Sequence, residues 1–292
     1  MSITNSILNI TYGTLNKRIN ILYSPSSMLF DNIISHIDDI NLFFDGDEVS
    51  DYYYDCYFSN NFLTHTNHTK KLSNQAHLKD IIAFHSPPPP SFKKEDLILL
   101  ENNTKHIHKI FFGEHIIQSW GYPKDNKTTV MDYGIPITEP SATRNKNVLI
   151  FNLENNPQID ALHKTISTNI ANTDIIKNIS PSNISIDNIG KFLSEYKVCI
   201  DLGNTVNTLF AMSCGVECIS PMTNDKDNPL MHNIRDFNNI LNLLNNILSK
   251  NTNEQIRKEG SNLIYSKYNY NTFKNNMVEY MTNFKNNEIF LL

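Results

Sequence analysis

The chain has 292 residues, of which 40% are hydrophobic and 19% charged, and its formal net charge is -5 with a pI near 6.0. This length is enough for one large domain or two medium domains with hydrophobic cores. The negative balance argues against duplex nucleic acid as the main partner, because phosphate neutralisation by basic residues supplies most of that affinity. We find no apolar run of about 18 residues and no secretory leader, so we expect a cytoplasmic protein.

Composition also bears on the source and on metal binding. Asn, Ile and Lys are abundant while Gly and Ala are scarce, which indicates AT-rich coding, as in a virus or an AT-rich microbe. If the source is a virus, the expected location is the host cytoplasm. The four cysteines are expected to be reduced and mostly buried. Three pairs that invite a metal interpretation lack further ligands at regular spacing: His65/His68, His106/His108 and Cys214/Cys218. We therefore expect no metal site and no cofactor.

The first half of the chain alternates short β-rich runs with helical patterns. Strands are predicted at residues 20–23, 41–44, 55–59, 80–84, 109–112 and 129–131. Helices are predicted at residues 28–37, 69–79 and 92–101. Strands that alternate with helices form right-handed βαβ units, so this half is predicted to contain a parallel sheet.

The second half repeats this alternation after a segment with little apolar content. Residues 135–146 contain two prolines and several Ser and Thr, which is typical of an interdomain linker. Beyond it, strands are predicted at 147–151, 174–179, 196–202 and 216–220, and helices at 157–168, 186–195, 206–214, 236–248 and 254–265. We predict an α/β fold with two Rossmann-like domains, residues 1–140 and residues 141–292.

The segment YKVCIDLGNTVNTLFAMSCGVECISP, residues 196–221, is the most informative part of the chain. It is typical of a strand, a turn, a short helix and a second strand. In parallel α/β proteins such turns present amides at a helix N-terminus, where phosphate binds. Gly203, Asn204 and Thr205 are therefore candidates for binding a diphosphate, and Asn207 for adding hydrogen bonds. The alternative is that Asn204 or Thr205 only caps the helix.

Four segments resemble, in the right order, segments of GT-B glycosyltransferases. They are VMDYGIPIT (130–138), KNVLIF (146–151), YKVCIDLG with AMSCGVECISP, and IYSKYNYNTFKNNMVEYM (264–281). The resemblance implies two Rossmann-like domains that face each other across a cleft, with a nucleotide-sugar donor held by the second. It also implies that a last helix, about residues 268–285, packs back on the first domain.

The chain departs from the family at positions that matter for donor binding. Leu202 and Phe210 stand where many retaining members carry two glutamates that contact the sugar and the ribose. The family's Arg and Lys after the strand that opens the donor domain are missing, and Asn152 and Glu154 of that loop become the donor-binding candidates. The second half also has one βα unit fewer than usual. These departures leave open a catalytically degenerate protein that acts as a binding or structural module.

Catalytic candidates come from the carboxyl ends of strands in the first half. His85 directly follows the strand at 80–84, and GT-B members often place a His or Asp at a similar point, near the transferred sugar. An unperturbed imidazole suits a proton acceptor near neutrality, although His85 bonding to the proline loop at 87–90 is the alternative. Glu114 is the second catalytic candidate. Further acceptor-side candidates share this edge: Ser24, Ser26, Asp45 and His115.

The resemblance predicts transfer of a hexose or pentose from a nucleotide sugar to a glycan or a small molecule. A modified DNA base is an alternative acceptor that the net negative charge disfavours. A nucleotide-sugar epimerase of the same fold is a further alternative. The stereochemistry of transfer is left open.

Overall fold

The computed structural model describes residues 18–24, 28–44, 54–59, 79–85, 88, 92–138, 143–152, 156–177, 186–202, 205–221, 227–234, 237–250 and 252–286. The chain divides into two compact units, each with its own sheet. The first unit comprises Met1–Ser26, Ile34–Asp132 and Asn271–Leu292, and the second comprises Ser27–Ile33 and Tyr133–Tyr270. Of the helix predicted at 69–79, residues 69–78 lie outside the described residues, and residue 79 is in a strand.

The first unit contains a six-stranded parallel sheet with strand order β2-β1-β3-β4-β5-β6. Its strands are β1 (Ile19–Ser24), β2 (Ile40–Phe44), β3 (Cys56–Ser59), β4 (Lys79–Phe84), β5 (His108–Phe112) and β6 (Thr128–Met131). Ile, Phe and Tyr recur in these strands, as expected where a parallel sheet is covered on both faces. Because the strands run in one direction, their carboxyl ends lie at the same edge of the sheet.

Helices α1 (Met28–Ser35), α2 (Lys94–Thr104) and α3 (Glu114–Trp120) interleave with these strands along the chain. The stacked rings of Phe84 and Phe111, 4.5 Å apart, lie in a core that α2 and α3 help to form. The Nζ of buried Lys109 donates to the backbone oxygens of Thr104 and Ile107, at 2.8 and 2.9 Å. This cation therefore bonds the carbonyl of the last residue of α2 and a carbonyl in the turn that follows the helix.

A C-terminal helix, numbered α9 (Tyr270–Asn286), contributes most of its length to the first unit. The Nζ of Lys285 lies 3.0 Å from the carboxylate of buried Asp55. The ring of Phe284 meets that of His108 edge to face at 4.8 Å. These contacts join α9 to β5 and to the residue before β3. The domain boundary predicted between residues 140 and 141 stays a prediction.

The second unit contains a five-stranded parallel sheet with strand order β11-β10-β9-β7-β8. Its strands are β7 (Lys146–Phe151), β8 (Thr173–Ile176), β9 (Tyr196–Ile200), β10 (Glu217–Ser220) and β11 (Met231–Asn233). Its helices are α4 (Pro157–Asn169), α5 (Ile186–Ser194), α6 (Thr205–Ser213), α7 (Ile240–Lys250) and α8 (Glu254–Lys267). The predicted α/β class with two parallel sheets is confirmed.

The two faces of this second sheet are covered by different helices. Val198 and Ile200 of β9 pack in one cluster with residues of α4 and α7. Side chains alternate between faces along a strand, so Cys199 and Cys218 point the other way. The Sγ of Cys218 contacts the backbone oxygen of Thr208 in α6 at 3.6 Å. Helices α4 and α6 therefore lie on opposite faces of the sheet.

Three features differ from the sequence predictions. Helix α3 and strand β11 were not predicted, because seven and three residues are too short for a periodic pattern to show. The low-contact character expected of residues 135–146 does not hold at Ile135 and Thr138, although Ile137 is exposed. Ile135 and Thr138 are buried there, and the Thr138 hydroxyl lies 3.4 Å from the Cys214 sulfur. These residues are buried because they contact the rest of the second unit, although the composition of the segment is polar.

Candidate functional site

A crevice is expected at the carboxyl edge of the second sheet, between β7 and β9. These two strands are neighbours, but the helices that follow them, α4 and α6, lie on opposite faces. Diverging helices leave a crevice outside the strand ends, which is where open α/β sheets bind ligands. Asn152 directly follows β7 and Asp201 directly follows β9, so these two buried residues flank it.

Asn152 has a structural task in the loop that leads into α4. Its Oδ1 accepts from the backbone nitrogen of Asn156 at 2.6 Å. Its Nδ2 donates to the backbone oxygen of Asn156 at 3.0 Å and to Asp160 Oδ1 at 2.8 Å. Both amide hydrogens are therefore engaged, and the side chain has only acceptor capacity left for a ligand. Asn156 in turn caps α4 by accepting from the Gln158 nitrogen at 2.9 Å.

Helix α6 begins at this crevice with a buried first turn. Thr205 is 4% exposed and Asn207 is 1% exposed. The Oδ1 of Asn207 is closed to solvent and has no hydrogen-bond partner in the described part of the chain. Side chains on a helix point back toward its N-terminus, so this amide is directed at the start of α6. Buried polar atoms are nearly always hydrogen-bonded, so this oxygen indicates a missing donor.

Asp201 is a further buried polar group at the same place, and the sequence analysis missed it. Its carboxylate accepts from the Thr208 hydroxyl at 3.4 Å, and its backbone nitrogen donates to the Ile219 oxygen at 3.1 Å. The signal that would have found it is the one that selected His85, a polar residue directly after an apolar strand. Asp201 therefore joins Thr205 and Asn207 among the polar residues at the entry to α6.

The opposite end of α6 is held by hydrogen bonds to four successive carbonyls. Ser261 donates to Met212 at 3.2 Å, Tyr265 to Ser213 at 3.0 Å, Arg144 to Cys214 at 3.0 Å and Arg257 to Gly215 at 2.7 Å. Two guanidinium groups thus lie at the negative end of the helix dipole. Neither arginine was among the predicted site residues. An anion at the N-terminus would complement the positive end of the same helix.

A buried carboxylate balances these arginines at the amino edge of the sheet. The Glu217 carboxylate lies 2.8 Å from His232 Nε2 and 3.3 Å from Arg257 Nη2. Burial alone raises the pKa of Glu217, but hydrogen bonds from His232 and Thr252 and the electrostatic effects of His232 and Arg257 hold it below its ordinary value. This cluster stabilises the carboxyl end of α6 and lies away from the crevice.

In the first unit, His85 lies at the carboxyl end of β4, as predicted. Its ring is buried and stacks on Phe112 with a centroid distance of 4.6 Å. Desolvation lowers the pKa of His85 to about 3. The unperturbed pKa assumed from the sequence does not hold in this environment. The imidazole is neutral at pH 7 and is a weak proton acceptor there.

Glu114 and His115 follow the neighbouring strand, β5. Glu114 forms an ion pair with Lys124 at 2.7 Å, and both side chains are more than half exposed. The His115 ring lies so close to Gly113 that a Cβ at residue 113 would come within 2.7 Å of it. Gly113 also has φ of +109°, which L-residues avoid. The turn therefore places Glu114 at the surface and His115 against the backbone.

Ser24 lies at the same edge, two strands from β4 in the sheet. It is the last residue of β1 and pairs in register with Ser59, the last residue of β3. Both are buried. Ser59 was not predicted, although it also ends an apolar strand. Four neighbouring strands, β1, β3, β4 and β5, therefore place polar residues at this edge: Ser24, Ser59, His85 and Glu114.

Several predicted site residues lie outside the described residues: Ser26, Asp45, Glu154, Gly203 and Asn204. Of the two positions that depart from the family, Leu202 packs against the hydrophobic core of the second sheet and Phe210 is buried. Neither offers a hydrogen-bonding side chain at the crevice.

Within the described ranges, no three or more His, Cys, Asp or Glu side chains are grouped as metal ligands. None of the helices in this part of the chain combines the length and the apolar character needed to cross a bilayer.

The sequence matches no protein-family model and no curated protein. Solved structures do resemble the fold. HepE (Alr3699) from Anabaena, in complex with UDP, superposes with a TM-score of 0.58 at 12% identity, covering 91% of this chain and 100% of that one. An α,α-trehalose-phosphate synthase (UDP-forming) from Burkholderia vietnamiensis gives a TM-score of 0.50 at 8% identity, covering 87% and 84%. The chain has the GT-B fold of such glycosyltransferases, as its sequence segments predicted.

Proposed function

We propose that this protein is a glycosyltransferase that binds a nucleotide-sugar donor at the start of helix α6. The observation that carries the proposal is the buried first turn of α6, which contains the unsatisfied oxygen of Asn207 and lies at the crevice expected between β7 and β9. The amides of this turn and the helix dipole would stabilise the diphosphate as it departs. The structural likeness to a UDP complex and to a UDP-forming synthase supports this proposal.

The proposed donor site uses neutral groups rather than a basic loop. The segment at 152–156 carries no Arg or Lys, and the arginines nearest α6 bind its opposite end. We therefore propose that diphosphate binding requires no metal and no cofactor. Thr205 and Asn207 belong to the donor side, with Gly203, Asn204, Asn152 and Glu154 as further candidates. The roles in catalysis and acceptor binding stay predictions for six residues: His85, Glu114, Ser24, Ser26, Asp45 and His115. We propose that the acceptor is a glycan or a small molecule in preference to DNA.

A second candidate is a protein that binds the donor without turning it over. Three observations favour it. Phe210 and Leu202 present apolar side chains, and His85 has a pKa of about 3, which weakens it as a base. Glu114 is engaged in a surface ion pair with Lys124. Donor binding without transfer to any acceptor and without donor hydrolysis would support this candidate.

Thermal melting with UDP, GDP, ADP and UDP-glucose tests the donor site. A ligand at about 100 times its Kd stabilises by about 2.7 kcal/mol, which raises Tm by about 5 °C or more. Asn204→Asp should lose this shift, because Asp caps a helix as well as Asn does but repels a phosphate. Asn262→Asp, at an exposed position of α8, makes the same charge change and should keep it. The shift should persist with EDTA. No shift with any of the four ligands contradicts the proposal.

A further inference from the structure

We propose that the Oδ1 of Asn207 accepts a hydrogen bond from a hydroxyl of the nucleotide-sugar donor, either on its ribose or on the transferred sugar. This inference rests on the proposed function, since it names the part of the donor that Asn207 meets. Asn207 is then a residue that recognises the sugars of the donor, and the helix amides recognise its phosphates.

The observation is specific to Asn207 among buried polar side chains of α6. The Ser213 hydroxyl donates to the Phe210 oxygen at 2.7 Å, and the Thr208 hydroxyl donates to Asp201. Asn207 is 1% exposed, yet its Oδ1 has no partner among the described residues. A buried acceptor without a donor destabilises the free protein, because its lost hydration is not replaced. Such a group is expected where a ligand supplies the missing partner.

The chemistry of the amide oxygen selects a hydroxyl over a phosphate. Oδ1 is only an acceptor, and the oxygens of an ionised diphosphate are also acceptors. Two acceptors repel, so phosphate cannot satisfy this atom, whereas backbone N–H groups of the first turn can bind it. In a nucleotide sugar the groups attached directly to the diphosphate are the ribose and the transferred sugar. Both present hydroxyls within about 5 Å of the phosphates, a distance equal to the rise of one helical turn.

General helix geometry favours this bond. Its Cα–Cβ bond tilts toward the N-terminus of α6, which is the end at the crevice. The terminal torsion of Asn is broad, so a small rotation turns the amide toward an incoming hydroxyl. Because Oδ1 is already out of contact with water, ligand binding adds little desolvation free energy at this atom. Loss of the bond should lower donor affinity about 3- to 10-fold.

Asn207→Leu, of similar volume, and the smaller Asn207→Ala test the proposal by calorimetry and thermal melting. The probes are UDP, UDP-glucose and inorganic pyrophosphate, which has no sugar hydroxyl. Both variants should bind pyrophosphate like the wild type. Weaker binding of UDP assigns the ribose hydroxyl, and weaker binding of UDP-glucose alone assigns the sugar hydroxyl. Ligand-free Asn207→Leu should melt at or above the wild-type temperature, since it removes an unsatisfied group.

Ser213→Ala is the matched control. It removes a satisfied hydroxyl from the other end of α6, so it should lower Tm and leave ligand affinities unchanged. Wild-type affinity of both Asn207 variants for UDP and UDP-glucose overturns the inference. So does an equal loss for pyrophosphate, or a Tm for both variants below that of Ser213→Ala. If the wild type binds none of the three probes, the proposed function fails first and the inference falls with it.

Discussion

The Nη1 of Arg257 lies 2.7 Å from the backbone oxygen of Gly215, just beyond the carboxyl end of helix α6. The same guanidinium contacts the buried carboxylate of Glu217 at 3.3 Å. One side chain thus joins helix α8 to the end of α6 and to the start of β10. This anchor lies at the end of α6 opposite the first turn, where we propose donor binding.

Replacing Arg257 by Met should destabilise the protein strongly. The change keeps an apolar stem but leaves the Gly215 carbonyl and the Glu217 charge without this partner. Removing one member of a buried ion pair costs about 3–5 kcal/mol. Urea unfolding measures the loss. Lys258→Met changes an exposed neighbour on α8 and should fall within about 0.5 kcal/mol of the wild type. Equal stability of the two variants would show that Arg257 is not an anchor.

Glu217 should make the protein sensitive to acid. Its pKa is lower in the folded state than in the unfolded chain, so it contributes stability that is fully present above its ordinary pKa, near 4.5. That contribution is lost as pH falls through the lowered, folded-state pKa. Urea midpoints between pH 6 and pH 3 should therefore fall more steeply for the wild type than for Glu217→Gln. Parallel curves for the two proteins would remove Glu217 as the cause.

Gly215→Ala should cost more stability than Gly121→Ala. Both glycines have positive φ, +73° and +61°, so a side chain at either is strained by about 1–2 kcal/mol. A Cβ at residue 215 would also come within 2.8 Å of the Arg144 guanidinium, whereas residue 121 has nothing nearer than 3.9 Å. Thermal melting of both variants isolates this additional clash. A smaller loss at residue 215 would contradict the close packing of Arg144 against the end of α6.

His85 should stay neutral through the physiological pH range. Desolvation lowers its folded-state pKa to about 3, so between about pH 6.5 and 3 the unfolded chain binds more protons. Stability should therefore fall as pH drops through this window, and His85→Phe should reduce the fall. An NMR titration should show no protonation of His85 between pH 8 and 5. An inflection near pH 6.5 assigned to His85 would contradict its burial.

Much of the fold could be predicted from the sequence, because most of the sheet strands are short apolar runs that end at a polar or glycine-containing turn. The helix predicted at residues 206–214 is observed as Thr205–Ser213. Helix α3 and strand β11 were missed because they are shorter than any reliable periodicity.

The supports of the candidate site were harder to predict. Arg144 binds the end of α6 from 70 positions earlier in the sequence, and no local pattern records such a contact. One signal was present, since the chain has only four arginines among its 25 basic residues. In a lysine-rich chain an arginine marks a site that needs several directed donors. The unsatisfied oxygen of Asn207 follows from packing alone, so no sequence pattern would have shown it.

A crystal structure with bound UDP tests the central claim most directly, since it locates the phosphates themselves. We predict that the diphosphate lies within hydrogen-bonding distance of the first-turn amides of α6, beside Thr205 and Asn207. A diphosphate bound at any other place on the chain would contradict that claim.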